Sequence, residues 1–347
     1  MSNNSSKQEN ESRMRKQISS CKEMKEENET LLMTFNENPL FKCRTINLIY
    51  GLTASAKSSL AHCMAATFLR PDRFFKELNL RNKLSKDISV LWLDSELFPN
   101  EFAKAKDKIV GLSGTQPECN RFTPYRMLAT TSEDKITELE NLIQLVTYDF
   151  PEDHIVIIID TITDLVSNFN NVDETEAITK KLLSIVDKTQ CTIICVMHET
   201  KSAQKAMGHL GSSLERKSSS ILKTKTYYNG YYIENLKNRA AKEFGKLYVD
   251  FSEGATHLKL IDRSRIVKEA RATSSRYSFT EEQFYAAFMS LAIDGVLQFK
   301  ALRAKLPSLL NCSERTIRNF FADLSLLKYK YSKSGKNRNI IVSVSPN

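Results

Sequence analysis

Four short apolar runs constrain this chain more than any other feature of it. They are INLIY (46–50), ISVLWLD (88–94), HIVIIID (154–160) and CTIICVMH (191–198). In each run neighbouring residues of both parities are apolar, so a strand built from it would bury both faces. Helix-forming stretches fall between them, at 58–68, near 101–110, at 131–148 and at 174–189. Both-face strands alternating with helices predict an α/β fold: a mostly parallel sheet flanked by helices. A loop is expected over 112–124, which holds Gly114, Pro117 and Pro124. GHLGSS (208–213) reads as a mobile loop or a turn, and the alternating pattern over 221–260 reads as an antiparallel extension of the sheet.

The first run leads into a phosphate-binding pattern. Gly51-Leu-Thr-Ala-Ser-Ala-Lys57-Ser58 separates a strand from a helix. Free backbone N–H groups and a helix N-terminus collect a polyanion in that setting. Gly51, Thr53, Ala54, Ser55, Ala56, Lys57, Ser58 and Ser59 are the expected nucleotide-binding residues. Lys57 would reach the β- and γ-phosphates of ATP, and Ser58 would hold Mg²⁺. Ala56 stands where the pattern has its second glycine. Alanine tolerates positive φ poorly, so a somewhat different loop shape is expected.

Carboxylates end the next two runs, as Asp94-Ser-Glu96 and as Asp160. Ligands of open parallel sheets lie beyond the carboxyl ends of the strands. Asp160 would therefore face Mg²⁺, and Glu96 would polarise the attacking water. His198 ends the fourth run. It is placed to sense the γ-phosphate or link it to a bound polymer, or to serve structure alone.

The net charge is +9, and its placement says more than its size. Residues 257–347 hold 16 Lys and Arg against 7 Asp and Glu, whereas 1–256 hold 34 of each. A neutral body with a basic end suggests one polyanion-binding region. Four segments are expected: a disordered or partner-binding stretch (1–38, with a charged helix around 16–32), a nucleotide-binding domain (39–261), a linker (262–278) and a small unit (279–347). The last reads as helices at 280–292, 299–306 and 313–324, with PSLLNC joining the second and third. A hairpin around SGKNRN follows, giving a helix-turn-helix with a wing. Arg315, Thr316, Arg318 and Asn319 would face DNA bases, while Lys333, Lys336 and Arg338 would contact phosphates. Protein contact is the alternative use of such a module.

Other classes drop out. The seven Cys form no CxxC pair, which speaks against a zinc site or a disulfide framework and for a reducing cytoplasm. The N-terminus is polar, and no run approaches the ~18 apolar residues of a membrane span.

Taken in order, GLTASAKSS, VLWLDSE, VIIIDT, VMHETK, GHLGSS and ENLKNR resemble the RecA-like ATPases of the hexameric helicase branch. The likeness is nearest to the plasmid RepA helicase group, with DnaB-type helicases and RadA-like recombinases farther off. It covers roughly residues 40–260. The resemblance implies ATP and Mg²⁺, a homo-oligomeric (hexameric) ring with an active site at each subunit interface, and DNA as partner. It also implies service to a mobile element beside its replication or recombination proteins. It carries catalytic roles onto Lys57, Glu96 and His198. It further matches Lys237 and Arg239 to a basic pair set against a neighbour's γ-phosphate; on residues alone, LKNR is equally a solvated strand end. Three functions compete. One is a DNA helicase or translocase. Another is an ATP-dependent DNA-binding regulator or adaptor that recruits a transposase, integrase or initiator without unwinding. The third is a signalling ATPase whose winged unit binds protein.

Overall fold

The computed structural model describes residues 30–115, 120–128, 130–200, 205–227, 230–262, 279, 281–292, 296–322, 329–334 and 341–346. The chain divides into two compact units, one ending at Asp262 and the other beginning at Arg263.

The first unit runs β1 (Leu31–Phe35), β2 (Asn38–Lys42), β3 (Ile46–Gly51), α1 (Lys57–Leu69), β4 (Phe74–Phe75), β5 (Leu80–Asn82), β6 (Ile88–Asp94), α2 (Pro99–Ser113), β7 (Phe122–Arg126), α3 (Ser132–Asp149), β8 (His154–Asp160), α4 (Val172–Thr189), β9 (Thr192–His198), α5 (Gly208–Lys217), β10 (Ser220–Tyr227), β11 (Gly230–Asn238), β12 (Leu247–Phe251) and β13 (Leu258–Leu260). Its main sheet has the order β13-β12-β11-β10-β3-β9-β8-β6-β7. Every pairing from β10 to β7 is parallel, and β11 to β13 extend the sheet antiparallel. The expected class, α/β with a mostly parallel sheet flanked by helices, is what the chain forms.

β8 shows why its sequence demands the centre. Val156 and Ile158 enter one core with α1 and α2, while Ile155, Ile157 and Ile159 enter the other with α3, α4 and α5. Burial on both faces suits β-branched residues at every position. α1 is enclosed too: 11 of its 13 residues are buried. It lies between the main sheet and a small sheet of order β2-β1-β5-β4, so it needs no polar face. The helix behind the phosphate loop is thus held from both sides.

The structure differs from the sequence reading in several places. Leu31–Phe35, assigned to the N-terminal segment 1–38, is a strand of the small sheet. It turns into β2 through Asn36 and Glu37, both at positive φ (46° and 67°), as in the tight turns that suit strand twist. A glutamate there hid the turn; residues 1–29 lie outside the described residues. Part of the expected loop 112–124 is β7, where Pro124 is tolerated because the strand is at the sheet edge. GHLGSS opens α5 instead of forming a loop, because Leu210 and Leu214 bury one side of a helical turn. The expected linker lies, from 263 on, outside the described residues.

The second unit contains α6 (Glu281–Leu291), β14 (Val296–Gln298), α7 (Phe299–Leu309), α8 (Glu314–Ala322), β15 (Tyr329–Ser334) and β16 (Ile341–Pro346), with sheet order β14-β16-β15. Phe279, Phe284, Phe288, Leu306, Ile317 and Phe320 make its core, with the Phe284 and Phe320 rings 4.3 Å apart. α7 continues through Pro307, which the sequence reading placed in a connector. Pro307 sits in the last turn, where the Leu309–Leu310 end is closed by the Leu310 N–H on Leu306. Ser313 Oγ accepts the Thr316 N–H at 3.1 Å, a side-chain cap for α8.

Candidate active site at the carboxyl ends of the parallel strands

The loop from Gly51 to Ser58 is shaped by close contacts. A Cβ on Gly51 would lie 2.3 Å from the Thr224 carbonyl oxygen and 2.6 Å from Ser55 Oγ, so only glycine fits. Ser55 is buried, and its Oγ shares a 2.8 Å hydrogen bond with Thr224 Oγ1, tying the loop to β10. Ala54 and Ala56 both take positive φ, at 59° and 67°. Ala56, as the residue before α1, thus adopts the left-handed conformation its side chain disfavours, at a cost of about 1–2 kcal/mol. Thr53 and Ala54 are exposed, whereas Ser58 and Ser59 are half-buried in the first turn of α1.

Lys57 is buried, and its Nζ donates to the Leu52 carbonyl at 2.9 Å across the loop. Burial lowers its pKa, while Asp160, Glu96 and Glu199 act in the opposite sense. The ammonium thus feels the charge of three carboxylates.

Asp94 and Asp160 are register partners on adjacent strands, each almost wholly buried. Both continue the stripe that faces α1, after Trp92 and Ile158. Burial pushes Asp160 up to about 6, against a hydrogen bond from Ser58 and the nearby Lys57 charge. Burial likewise pushes Asp94 up to about 7, although its Oδ1 accepts the Leu97 N–H at 2.7 Å and the Glu96 N–H at 3.1 Å. Glu96 follows on the turn leaving β6. Its Oε1 lies 2.8 Å from His198 Nε2, and that bond holds its carboxyl below the usual range. Ser95 laces the two strand ends together: its N–H donates to the Asp160 carbonyl (2.9 Å), and its Oγ accepts the Thr161 N–H (3.1 Å).

The structure therefore brings Lys57, Ser58, Asp160, Glu96 and His198 into one neighbourhood. Asp94, Glu199 and Lys223 belong there too, and the sequence reading gave none of them a role. The Glu199 carboxylate meets Lys223 Nζ at 2.5 Å, both groups buried, with that ammonium 5.2 Å from the Tyr50 ring centre. Breaking such a pair leaves an uncompensated charge in the interior. A lysine at a buried position of LKTKTY was the available signal.

Lys237 and Arg239 lie elsewhere. β11 runs antiparallel to β10, so Lys237 pairs with Ile221, near the start of β3, while the phosphate loop pairs with Thr224 at the other end. Lys237 Nζ donates to the Glu215 and Arg216 carbonyls (2.8 and 3.1 Å) at the end of α5, and Arg239 is exposed. Neither reaches the site of its own protomer.

In the second unit, Arg315 and Asn319 are exposed on α8, and Thr316 is half-buried beside Ser313. Glu314 is paired with Arg303 of α7. The side chains of Arg318 and Lys333, together with Lys336 and Arg338, lie outside the described residues. Among the described residues, no group of three His, Cys, Asp or Glu is gathered as a metal site. Ser58 and Asp160 nevertheless offer hard oxygen donors close together. They fit Mg²⁺, which keeps waters and phosphate oxygens for its other positions. No helix of the described residues is long and apolar enough to cross a membrane.

A glycine-led loop between a parallel strand and a helix, with a lysine and a serine at the helix start and an aspartate at the end of a nearby strand, defines a P-loop ATPase domain. Residues 38–204 match the family model described as an AAA domain, and the match spans the phosphate loop, Glu96, Asp160 and His198. The chain thus carries an ATPase. Among solved structures, one described as an ATPase domain is similar at 13% identity, over 64% of this chain and 86% of that one, with a TM-score of 0.47. No curated protein matches the sequence.

Proposed function

We propose that this ATPase is a DNA motor, a helicase or translocase of the RecA-like, RepA type. It would work as a hexameric ring in the replication or transfer of a mobile element. The carrying observation is the 2.8 Å contact between Glu96, at the end of β6, and His198, at the end of β9, beside Lys57 and Asp160. It supports a carboxylate base at the phosphate loop, tied to the segment that trails β9. The basic second unit supports the DNA part of the reading.

In this reading the N–H groups of 53–58 and the Lys57 ammonium hold the ATP phosphates. Ser58 and Asp160 would hold Mg²⁺, which would supply neutralising charge to the triphosphate. Glu96 accepts a proton from the water that attacks the γ-phosphorus. His198 fixes the Glu96 carboxylate, so any shift of the segment that follows β9 moves the base. Lys237 and Arg239, at the opposite ends of the strands, serve the site of a neighbouring subunit. The second unit acts as a winged helix, with α8 in the major groove and β15–β16 along the backbone.

DNA-stimulated ATP hydrolysis and strand displacement test the proposal. Stimulation with displacement supports the motor. Stimulation without displacement favours the regulator or adaptor. No response to DNA leaves the signalling ATPase.

A further inference from the structure

We infer that Asp94 is the positioning residue for Glu96, acting through the acceptor oxygen of its side chain. The inference rests on Glu96 being the base assigned above.

Glu96 sits on a turn, two residues past the last paired position of β6. A side chain there inherits the freedom of the turn unless the backbone is pinned. Asp94 supplies the pin. Its Oδ1 accepts both the Glu96 N–H at 3.1 Å and the Leu97 N–H at 2.7 Å, closing the turn from inside. Asp94 itself cannot shift. Its carbonyl accepts the Met127 N–H at 2.7 Å on the β7 side, and the Ser95 N–H is bonded to the Asp160 carbonyl on the β8 side. The Glu96 side chain, 44% exposed, has His198 Nε2 as its partner at the far end. The base is thus fixed at two points, its backbone by Asp94 and its carboxylate by His198. A base displaced by about 1 Å loses on the order of 10²-fold in rate. Asp94 makes its contribution without touching the nucleotide.

The required property is an oxygen acceptor, so asparagine should substitute and alanine should not. The full chain is assayed for steady-state ATP hydrolysis and for binding of a fluorescent ATP analogue. Asp94→Asn is expected to keep kcat within about threefold of wild type. Asp94→Ala is expected to lower kcat by about 30- to 100-fold, with KM and analogue affinity changed less than threefold. In a Glu96→Gln background the Asp94→Ala change should cost little more, because its effect passes through Glu96. An equal loss in both backgrounds, or Asp94→Asn as slow as Glu96→Gln, overturns the inference. If Asp94→Ala does not fold, the isosteric Asp94→Asn decides alone: near-wild-type kcat supports the acceptor role, and loss of kcat refutes it. Full activity of Glu96→Gln by itself would instead refute the assignment of the base.

Discussion

The two units of this protein use charge in opposite ways. In the first, Lys57, Asp94, Asp160, Glu199 and Lys223 are each buried, and Lys57, Asp94 and the Glu199–Lys223 pair hold partners at 2.5 to 3.1 Å. Acids and bases balance over residues 1–256. In the second, the excess is positive, Arg315 is exposed, and the Arg303–Glu314 pair is itself more than two-fifths exposed on either side. Buried charges do chemistry because their geometry is fixed and the local dielectric is low. Exposed ones act by number and are screened by salt. On this contrast ATP chemistry belongs to the first unit and, in the proposed reading, polyanion binding to the second, so each unit should be breakable alone.

The largest effect should come from Lys57. Lys57→Ala is expected to lower ATP turnover by at least 10²-fold, since it removes the charge at the developing phosphate oxygens, while duplex affinity measured without nucleotide stays unchanged. Steady-state hydrolysis beside a DNA titration reads both. Next comes removal of the second unit. Truncation after Ser278 should leave a folded, ATP-binding body that has lost most duplex affinity. If the intact protein neutralises about four phosphates there, log K falls with log salt at a slope near −3.6, and the truncated chain should lose that slope. Equal slopes would show that the second unit is not the DNA-binding end. Within the unit, Arg318→Ala should weaken binding to a preferred sequence more than to random DNA, and Lys336→Ala both alike.

A smaller effect concerns the two buried aspartates. With folded values of about 7 for Asp94 and about 6 for Asp160 against 3.8 in the open chain, both bind protons in the native state that the unfolded chain has released. Their contribution to stability is full below pH 4 and is lost as pH rises through 6 to 7. In thermal melts without nucleotide, Tm should therefore be higher at pH 5.5 than at pH 8, by a few degrees, and Asp160→Asn should flatten that slope. The smallest change is Ala56→Gly. It relieves a positive φ and should raise stability by up to about 1 kcal/mol in denaturant melts, without loss of hydrolysis.

What could be read from the sequence follows the same division. The runs at 46–50, 88–94, 154–160 and 191–198 announced central strands because both-face burial leaves few other solutions. Gly51, Lys57, Ser58 and Asp160 were legible because their chemistry is local to a strand end. Asp94 was visible as a carboxylate but not as an anchor, since its partners are backbone N–H groups that carry no sequence signature. Lys223 lies on β10 and Glu199 just past the end of β9, and the buried lysine of LKTKTY could be seen without the sheet order that pairs it. Lys237 could be matched to a motif, but only the antiparallel register shows it at the far end from its own phosphate loop. β1 was missed because its turn uses Asn36 and Glu37 where a glycine would have advertised it.

In the proposed reading, hydrolysis in the first unit depends on Glu96 acting as base beside a nucleotide it does not hold. Glu96→Gln in the full chain, followed by ATP hydrolysis and by equilibrium binding of ATP with Mg²⁺, tests it most directly. Turnover should fall about 10²- to 10⁴-fold while affinity stays within a few-fold of wild type. Turnover near the wild-type rate, or loss of ATP binding together with turnover, would contradict the claim.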